Sequence, residues 1–305
     1  MTSITTAISD YLHYCEYQKK LDPKTIKAYR IDLAQFAAHA ASEEGALSKE
    51  CISKYAQKLH NENKPKTVKR KIACLRAFTN YLEYEEEIDS NPFQKMRLSF
   101  REPTVLPKAL SLGSVRKLLK VSHLSLSDSG SEYRRNATLR DVAVLELLFA
   151  TGLRVSELCS ITDSNIDLHE GRIMVNGKGA RERIVFITNP EALSVLRKYR
   201  KAFAATIGQV GFFFVNRLGN RLSEQSVREM LKGYVAKAQL PGKITPHTLR
   251  HSFATLMLEE DVDIRYIQSV LGHSSISTTQ IYTYVSLSKQ KSIMAKKHPR
   301  NKMQF

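Results

Sequence analysis

The sequence predicts a mostly helical α+β fold, built as two domains with a small β-sheet in the second. Three observations lead there. The first hundred residues repeat apolar side chains at helical spacing and carry no hairpin signal. A basic stretch at 98–108, stiffened by Pro103 and Pro107, then interrupts the pattern. Beyond it, one clear hairpin signal stands among further helical patterns. The division is therefore a helical domain at 1–97, a linker at 98–108, a second domain at 109–285 and a tail at 286–305.

Each element has a local cause. Ile4, Ile8, Tyr11, Leu12 and Cys15 fall on one helical face. Asp22-Pro23 starts the next helix, because Asp caps free amides and Pro fits the first helical position. Ile26, Tyr29, Leu33, Phe36 and Ala37 form its apolar face. Ile52, Tyr55 and Leu59 mark a third helix. Pro65 opens a fourth, with Val68, Ile72, Leu75, Phe78 and Leu82 inward, and Asn91-Pro92 ends that run. A four- or five-helix domain follows. On the fourth helix Lys64, Lys66, Lys69, Arg70, Lys71 and Arg76 are uninterrupted by any acid. Surface helices usually mix both signs, so this run predicts phosphate contact.

In the second domain Ser111 caps a helix through Val121, and the polar, Ser-rich stretch from Ser122 to Ala137 reads as a loop. Leu139 to Ala150 is an apolar helix, and Gly152 turns the chain into a short helix carrying Arg154 and Glu157. Arg172–Val175 and Arg183–Ile187 flank Gly177-Lys178-Gly179-Ala180, which predicts a hairpin with Lys178 near its tip. Helices follow from about Pro190 to Ala205, then a short strand at Phe212–Val215, then helices near 223–238, 246–259 and 263–270.

Composition narrows the function. The chain has 305 residues, 42% hydrophobic and 25% charged, enough to bury an ordinary core. Its net charge of +17 points to a polyanionic partner, with nucleic acid ahead of an anionic membrane surface. No apolar run reaches the roughly 18 residues a membrane-spanning helix needs. Met1-Thr2-Ser3-Ile4 does not begin a signal peptide. Cys15, Cys51, Cys74 and Cys159 form no CxxC pair, so they read as buried free thiols in a reducing cytoplasm.

The chemistry lies in four short motifs. They are Thr151-Gly152-Leu153-Arg154-Val155-Ser156-Glu157-Leu158, His247-Thr248-Leu249-Arg250-His251, Leu271-Gly272-His273 and Thr278-Thr279-Gln280-Ile281-Tyr282. Guanidinium forks match phosphate oxygens and keep their charge, and a tyrosine can attack phosphorus and hold it covalently. The set suits a phosphodiester better than a peptide or a sugar. His247 and His251 stand at zinc-protease spacing, but Thr248 occupies the place of the required Glu. Gly171–Gly179 imitates a phosphate-binding P-loop with its glycines one residue too far apart. Neither a metal nor a nucleotide site is expected.

The order and spacing of these motifs resemble the tyrosine recombinase family, and most of all its Xer-type members and small mobile-element integrases. The resemblance implies a helical SAM-like core-binding domain and a catalytic domain that close as a C-shaped clamp on double-stranded DNA. By position it makes Tyr282 the nucleophile and Arg154 and Arg250 the clamp on the scissile phosphate. It gives His247 a hydrogen-bonding and proton-transfer role and makes Lys178 the general acid for the 5′-oxygen. It sets His273 against the phosphate, while Glu157 orients its neighbours. His251 receives no role, and Tyr284 replaces a histidine common in Xer members. The implied reaction is site-specific recombination through a 3′-phosphotyrosine and a Holliday junction, without metal or other cofactor. It serves chromosome-dimer resolution or movement of a mobile element. Four protomers act on two sites, as a homotetramer or with a related recombinase, with an accessory protein possible. The 286–305 tail, basic and ending in a segment that includes His298-Pro299-Arg300, docks on a neighbouring protomer. The location is the cytoplasm, at the nucleoid, with no membrane partner. Two alternatives stand beside this: a type IB topoisomerase-like activity, and a catalytically silent DNA-binding protein on the same fold. The tail and motif wording disfavour the first, and the complete residue set disfavours the second.

Overall fold

The computed structural model describes residues 3–41, 45–96, 109–128, 130–177 and 182–272. The chain divides into two compact units, Met1–Val105 and Leu106–Phe305. The linker expected at 98–108 and the 286–305 tail lie outside the described residues.

The described part of the first unit contains four α-helices: α1 (Ile4–Tyr17), α2 (Pro23–Ala40), α3 (Lys49–Glu62) and α4 (Pro65–Tyr84). Their starts follow local chemistry. Asp22 accepts from the Lys24 amide at 2.8 Å, and Ser48 accepts from the Cys51 amide at 3.1 Å. Leu33, Phe36, Ile52, Val68, Ile72, Leu75 and Phe78 fill the core, none above 1% exposed. Tyr11 packs its ring 5.4 Å from Phe78 and 5.1 Å from Tyr81.

One polar group enters that core. Asp32 is buried, and Lys71 reaches it with Nζ 3.2 Å from Oδ1 while also donating to Gln35. Arg70 pairs with the other Asp32 oxygen from the surface side. This corrects the expected basic face. Lys71 lies three residues after Val68 and four before Leu75, so it shares their inward face. Lys64, Lys66, Lys69, Arg70 and Arg76 are exposed. Arg76 lies over the Phe93 ring at 5.2 Å.

The second unit runs α5 (Leu112–Ser127), α6 (Glu132–Thr151), α7 (Val155–Cys159), β1 (Ile166–Asp167), β2 (Arg172–Asn176), β3 (Glu182–Phe186), α8 (Pro190–Ala202), α9 (Ala204–Val210), α10 (Glu224–Lys237), α11 (Pro246–Glu259) and α12 (Ile264–Leu271). The strands form one antiparallel sheet in the order β1-β2-β3, with Ile173 opposite Val185 and Val175 opposite Arg183. Helix α6 is buried on most of its circumference: Val142, Ala143, Val144, Leu145 and Leu147 are all 0% exposed. Cys15, Cys51, Cys74 and Cys159 are buried free thiols.

Two expectations need correction here. The polar stretch from Ser122 to Ala137 is mostly helix, with α5 reaching Ser127 and α6 starting at Glu132. Ser122 and Ser125 turn their hydroxyls back onto the carbonyls of Leu119 (2.7 Å) and Val121 (3.0 Å). Serine can therefore sit inside a helix without an unmet donor. Ser131 then caps α6 through the Arg134 amide. The segment at Phe212–Val215 makes only isolated bridges, Thr162 with Phe212 and Val215 with Arg221. Its alternation is instead anchored by Tyr199, whose hydroxyl donates to the Phe213 carbonyl and accepts from the Val215 amide.

Candidate active site

The site begins where α6 ends. Gly152 terminates that helix with φ +62°, a left-handed conformation that favours glycine. A side chain there would also collide, since a Cβ would lie 2.6 Å from Phe253 Cδ1. The tight turn brings Arg154 to the N-cap of α7. Its backbone N–H donates to Glu157 Oε2 at 2.8 Å, and its Nη1 donates to Oε1 at 2.7 Å.

Helix α11 supplies the second arginine. Thr245 caps it, accepting from the Thr248 amide at 3.2 Å while Thr248 Oγ1 accepts from the Thr245 amide at 3.1 Å. His247 then lies exposed in the first turn, whereas Arg250 turns inward and is only 2% exposed. The two are three residues apart on one helix, yet one faces solvent and the other the interior. His251 is buried on the same helix.

Arg250 joins two helix ends. Its Nη1 donates to the Gly152 carbonyl at 2.8 Å, and its Nη2 donates to the Leu271 carbonyl at 2.7 Å. These carbonyls lie at the C-termini of α6 and α12, where acceptors lack helical partners and the dipoles are negative. Arg154 reaches the same place, with Nη1 3.5 Å from the Leu271 carbonyl and Nη2 3.2 Å from that of Gly272. Two guanidinium groups from separate elements thus share one acceptor atom.

A third arginine completes the cluster. Arg183 in β3 donates to both Glu157 oxygens, at 3.0 Å and 2.9 Å, and through Nε to the Val270 carbonyl at 2.8 Å. The motifs did not point to it. Strand parity is the one local signal of its inward side chain: it lies opposite Val175 and two residues before Val185, on the inward side of the sheet, but its partner is set only by folding. A charge at an inward strand position requires a partner. Burial pushes the Glu157 carboxyl up, but hydrogen bonds from Arg183 and from the Arg154 amide and side chain outweigh it. The carboxyl is held below its ordinary range and stays ionised.

The structure therefore brings Arg154, Glu157, Arg183 and Arg250 together at the end of α12, next in sequence to His273. Lys178, His273, Tyr282 and Tyr284 lie outside the described residues. Among the described residues no group of three or more His, Cys, Asp or Glu side chains is arranged to hold a metal ion. No described helix is long and apolar enough to cross a membrane.

Comparison with known proteins identifies the family. Residues 115–289 match the phage integrase family, and residues 8–86 match the phage integrase N-terminal SAM-like domain. A tyrosine recombinase of Agathobacter rectalis is 48% identical over 306 residues, covering 100% of both chains. Tyrosine recombinase XerD of Listeria monocytogenes is 37% identical over 303 residues, covering 96% of this chain and 98% of that one. Among solved structures, the XerH site-specific recombinase bound to its palindromic difH substrate aligns with a TM-score of 0.77. That match is 20% identical and covers 94% of this chain and 83% of the other, so the likeness concerns the fold. The chain belongs to the phage integrase family of tyrosine recombinases, enzymes that cleave and rejoin DNA.

Proposed function

We propose that this recombinase acts on double-stranded DNA at a specific site, with Tyr282 as its nucleophile. The observation that carries the reading is the convergence of Arg154 and Arg250 on one acceptor position beside an ionised Glu157. Two cationic forks, Arg250 buried and Arg154 partly exposed, are suited to the charge that develops on a five-coordinate phosphorus. The Tyr282 oxygen attacks phosphorus and the bond to the 5′-oxygen breaks. Lys178 supplies the proton to that oxygen, and His247 and His273 hydrogen-bond the phosphate. A tyrosine has an unperturbed pKa of about 10, so the surrounding cations favour its anionic form. The products are a 3′-phosphotyrosine and a free 5′-hydroxyl. Attack by a partner strand's hydroxyl reverses the chemistry and regenerates the tyrosine, so the ester keeps the bond energy and no metal or other cofactor is needed.

Four protomers on two sites would carry this through a Holliday junction, with the 286–305 tail docking on a neighbour. Relatives named XerC and XerD, and a structural match described as a site-specific recombinase bound to its DNA substrate, support action at a specific DNA site. The exposed Lys64, Lys66, Lys69, Arg70 and Arg76 are the proposed backbone contacts of the first unit, in a cytoplasmic, nucleoid-associated protein. The role is resolution of chromosome dimers or movement of a mobile element.

Covalent capture tests this. The protein is mixed with fragmented genomic DNA in EDTA, denatured with detergent, and the attached DNA is sequenced. Adducts clustering at one sequence are expected with the wild type and none with Tyr282→Phe. Adducts that persist in Tyr282→Phe would contradict the assignment.

A further inference from the structure

We propose that Arg183 is a positioning residue of the cleavage reaction: it fixes the Glu157 carboxylate against Arg154 and ties β3 to the end of α12. The proposal rests on the recombinase reading above and adds a residue to it.

The geometry is specific. Each Glu157 oxygen accepts two bonds, one from Arg154 and one from Arg183. Oε1 takes Arg154 Nη1 at 2.7 Å and Arg183 Nη1 at 3.0 Å, while Oε2 takes the Arg154 amide at 2.8 Å and Arg183 Nη2 at 2.9 Å. A fork held on both oxygens stops the carboxylate from rotating, which in turn fixes the direction of the Arg154 guanidinium. The remaining donor of Arg183, Nε, holds the Val270 carbonyl at 2.8 Å. Gly272 packs directly on the guanidinium, where a Cβ would lie 2.8 Å from Arg183 Nη1. One side chain, five residues after Lys178, therefore connects three pieces: strand β3, the carboxylate beside Arg154, and the turn that precedes His273. Arg183 is 13% exposed in its side chain, so water competes little for these bonds.

Among the described residues the charged groups facing Glu157 are Arg154 from its own helix, Arg183 from β3 and Arg250 from α11, the last at 3.9 Å. Without Arg183 the burial that pushes the carboxyl up loses its strongest opponent. Cleavage should then acquire a dependence on Glu157 ionisation that the wild type lacks.

The test uses the full-length protein and the DNA site recovered by covalent capture. Single-turnover cleavage and DNA affinity are measured from pH 5 to 9 for wild type, Arg183→Gln, Arg183→Lys, Glu157→Gln and the Glu157→Gln/Arg183→Gln double variant. Arg183→Gln should slow cleavage on the order of 10- to 100-fold, most at low pH, while DNA affinity changes far less. The double variant should be no slower than Glu157→Gln, because both act through one carboxylate. Arg183→Lys keeps the charge but loses the fork, so it should be slowed less and still shift the acid limb to higher pH. If Arg183→Gln does not fold, Arg183→Lys decides the matter. A folded Arg183→Lys with wild-type rate and pH profile overturns the proposal, and so does a double variant whose two defects multiply. Wild type that does not cleave at all, or Tyr282→Phe that does, refutes the recombinase reading itself.

Discussion

Replacing Gly152 by alanine perturbs the hinge between α6 and the first arginine. Two costs follow from its surroundings. The residue holds φ +62°, and an L side chain in the left-handed region costs about 1–2 kcal/mol. The new Cβ would also lie 2.6 Å from Phe253 Cδ1 and 3.0 Å from Leu271 Cδ2. The first is part of a rigid ring and the second a methyl of a fully buried leucine, and relief of such overpacking costs about 1–3 kcal/mol. The sum, about 2–5 kcal/mol, corresponds to a melting point lower by on the order of 10 °C for a unit of this size. Gly233 is the internal control. It lies within α10, and a Cβ added there would meet nothing within 4 Å. Gly233→Ala should raise stability by about 0.5–1 kcal/mol through helix propensity alone. Thermal melts followed by circular dichroism check both signs. Equal melting of Gly152→Ala and wild type, or destabilisation by Gly233→Ala, would refute the reasoning. Because the Gly152 carbonyl also accepts from Arg250 at 2.8 Å, Gly152→Ala should lose DNA cleavage as well.

Other outcomes are expected on the same grounds. Combined Lys64→Ala, Lys66→Ala and Lys69→Ala should flatten the dependence of log Kd on log salt by about 0.9 for each phosphate no longer neutralised, measured by DNA titration at several salt concentrations. Lys71→Ala should leave that slope nearly intact yet lower stability by about 3 kcal/mol, because it strips a buried partner from Asp32. Thr245→Ala removes the cap of α11 and should cost about 1 kcal/mol in a denaturant titration. His123 is raised above its ordinary 6.5, chiefly by its hydrogen bond to Glu146. Its contribution to stability is complete below that value and is lost as pH rises through the raised one, so His123→Gln should flatten the stability profile across this window.

Much of the fold was legible because its signals are local. Asp22-Pro23 marks a helix start by capping chemistry, and the alternation across Ile173, Val175 and Val185 marks a hairpin by parity. Where burial decides, composition misled. Lys71 belongs to a run of basic residues, yet its spacing from Val68 and Leu75 turns it into the core, where Asp32 compensates it. Ser122 and Ser125 gave a polar loop signal, but each satisfies its hydroxyl on its own helix. In the site, Arg154, Glu157 and Arg250 were readable from their motifs. Arg183 was not, because its partner Glu157 lies 26 residues away in sequence and only folding brings the two together. The inward orientation of Arg250 was likewise hidden, since it depends on two helix ends meeting it from α6 and α12.

The most direct test of the central claim is to identify the covalent bond itself. The captured protein–DNA adduct is digested with protease, the peptide bearing the DNA is identified by mass spectrometry, and the released strand ends are characterised. A peptide modified at Tyr282, with a 3′-phosphate link and a free 5′-hydroxyl that a polynucleotide kinase can label, is the predicted result. Modification at Tyr284 or elsewhere, or a 5′-phosphate link, would contradict the account.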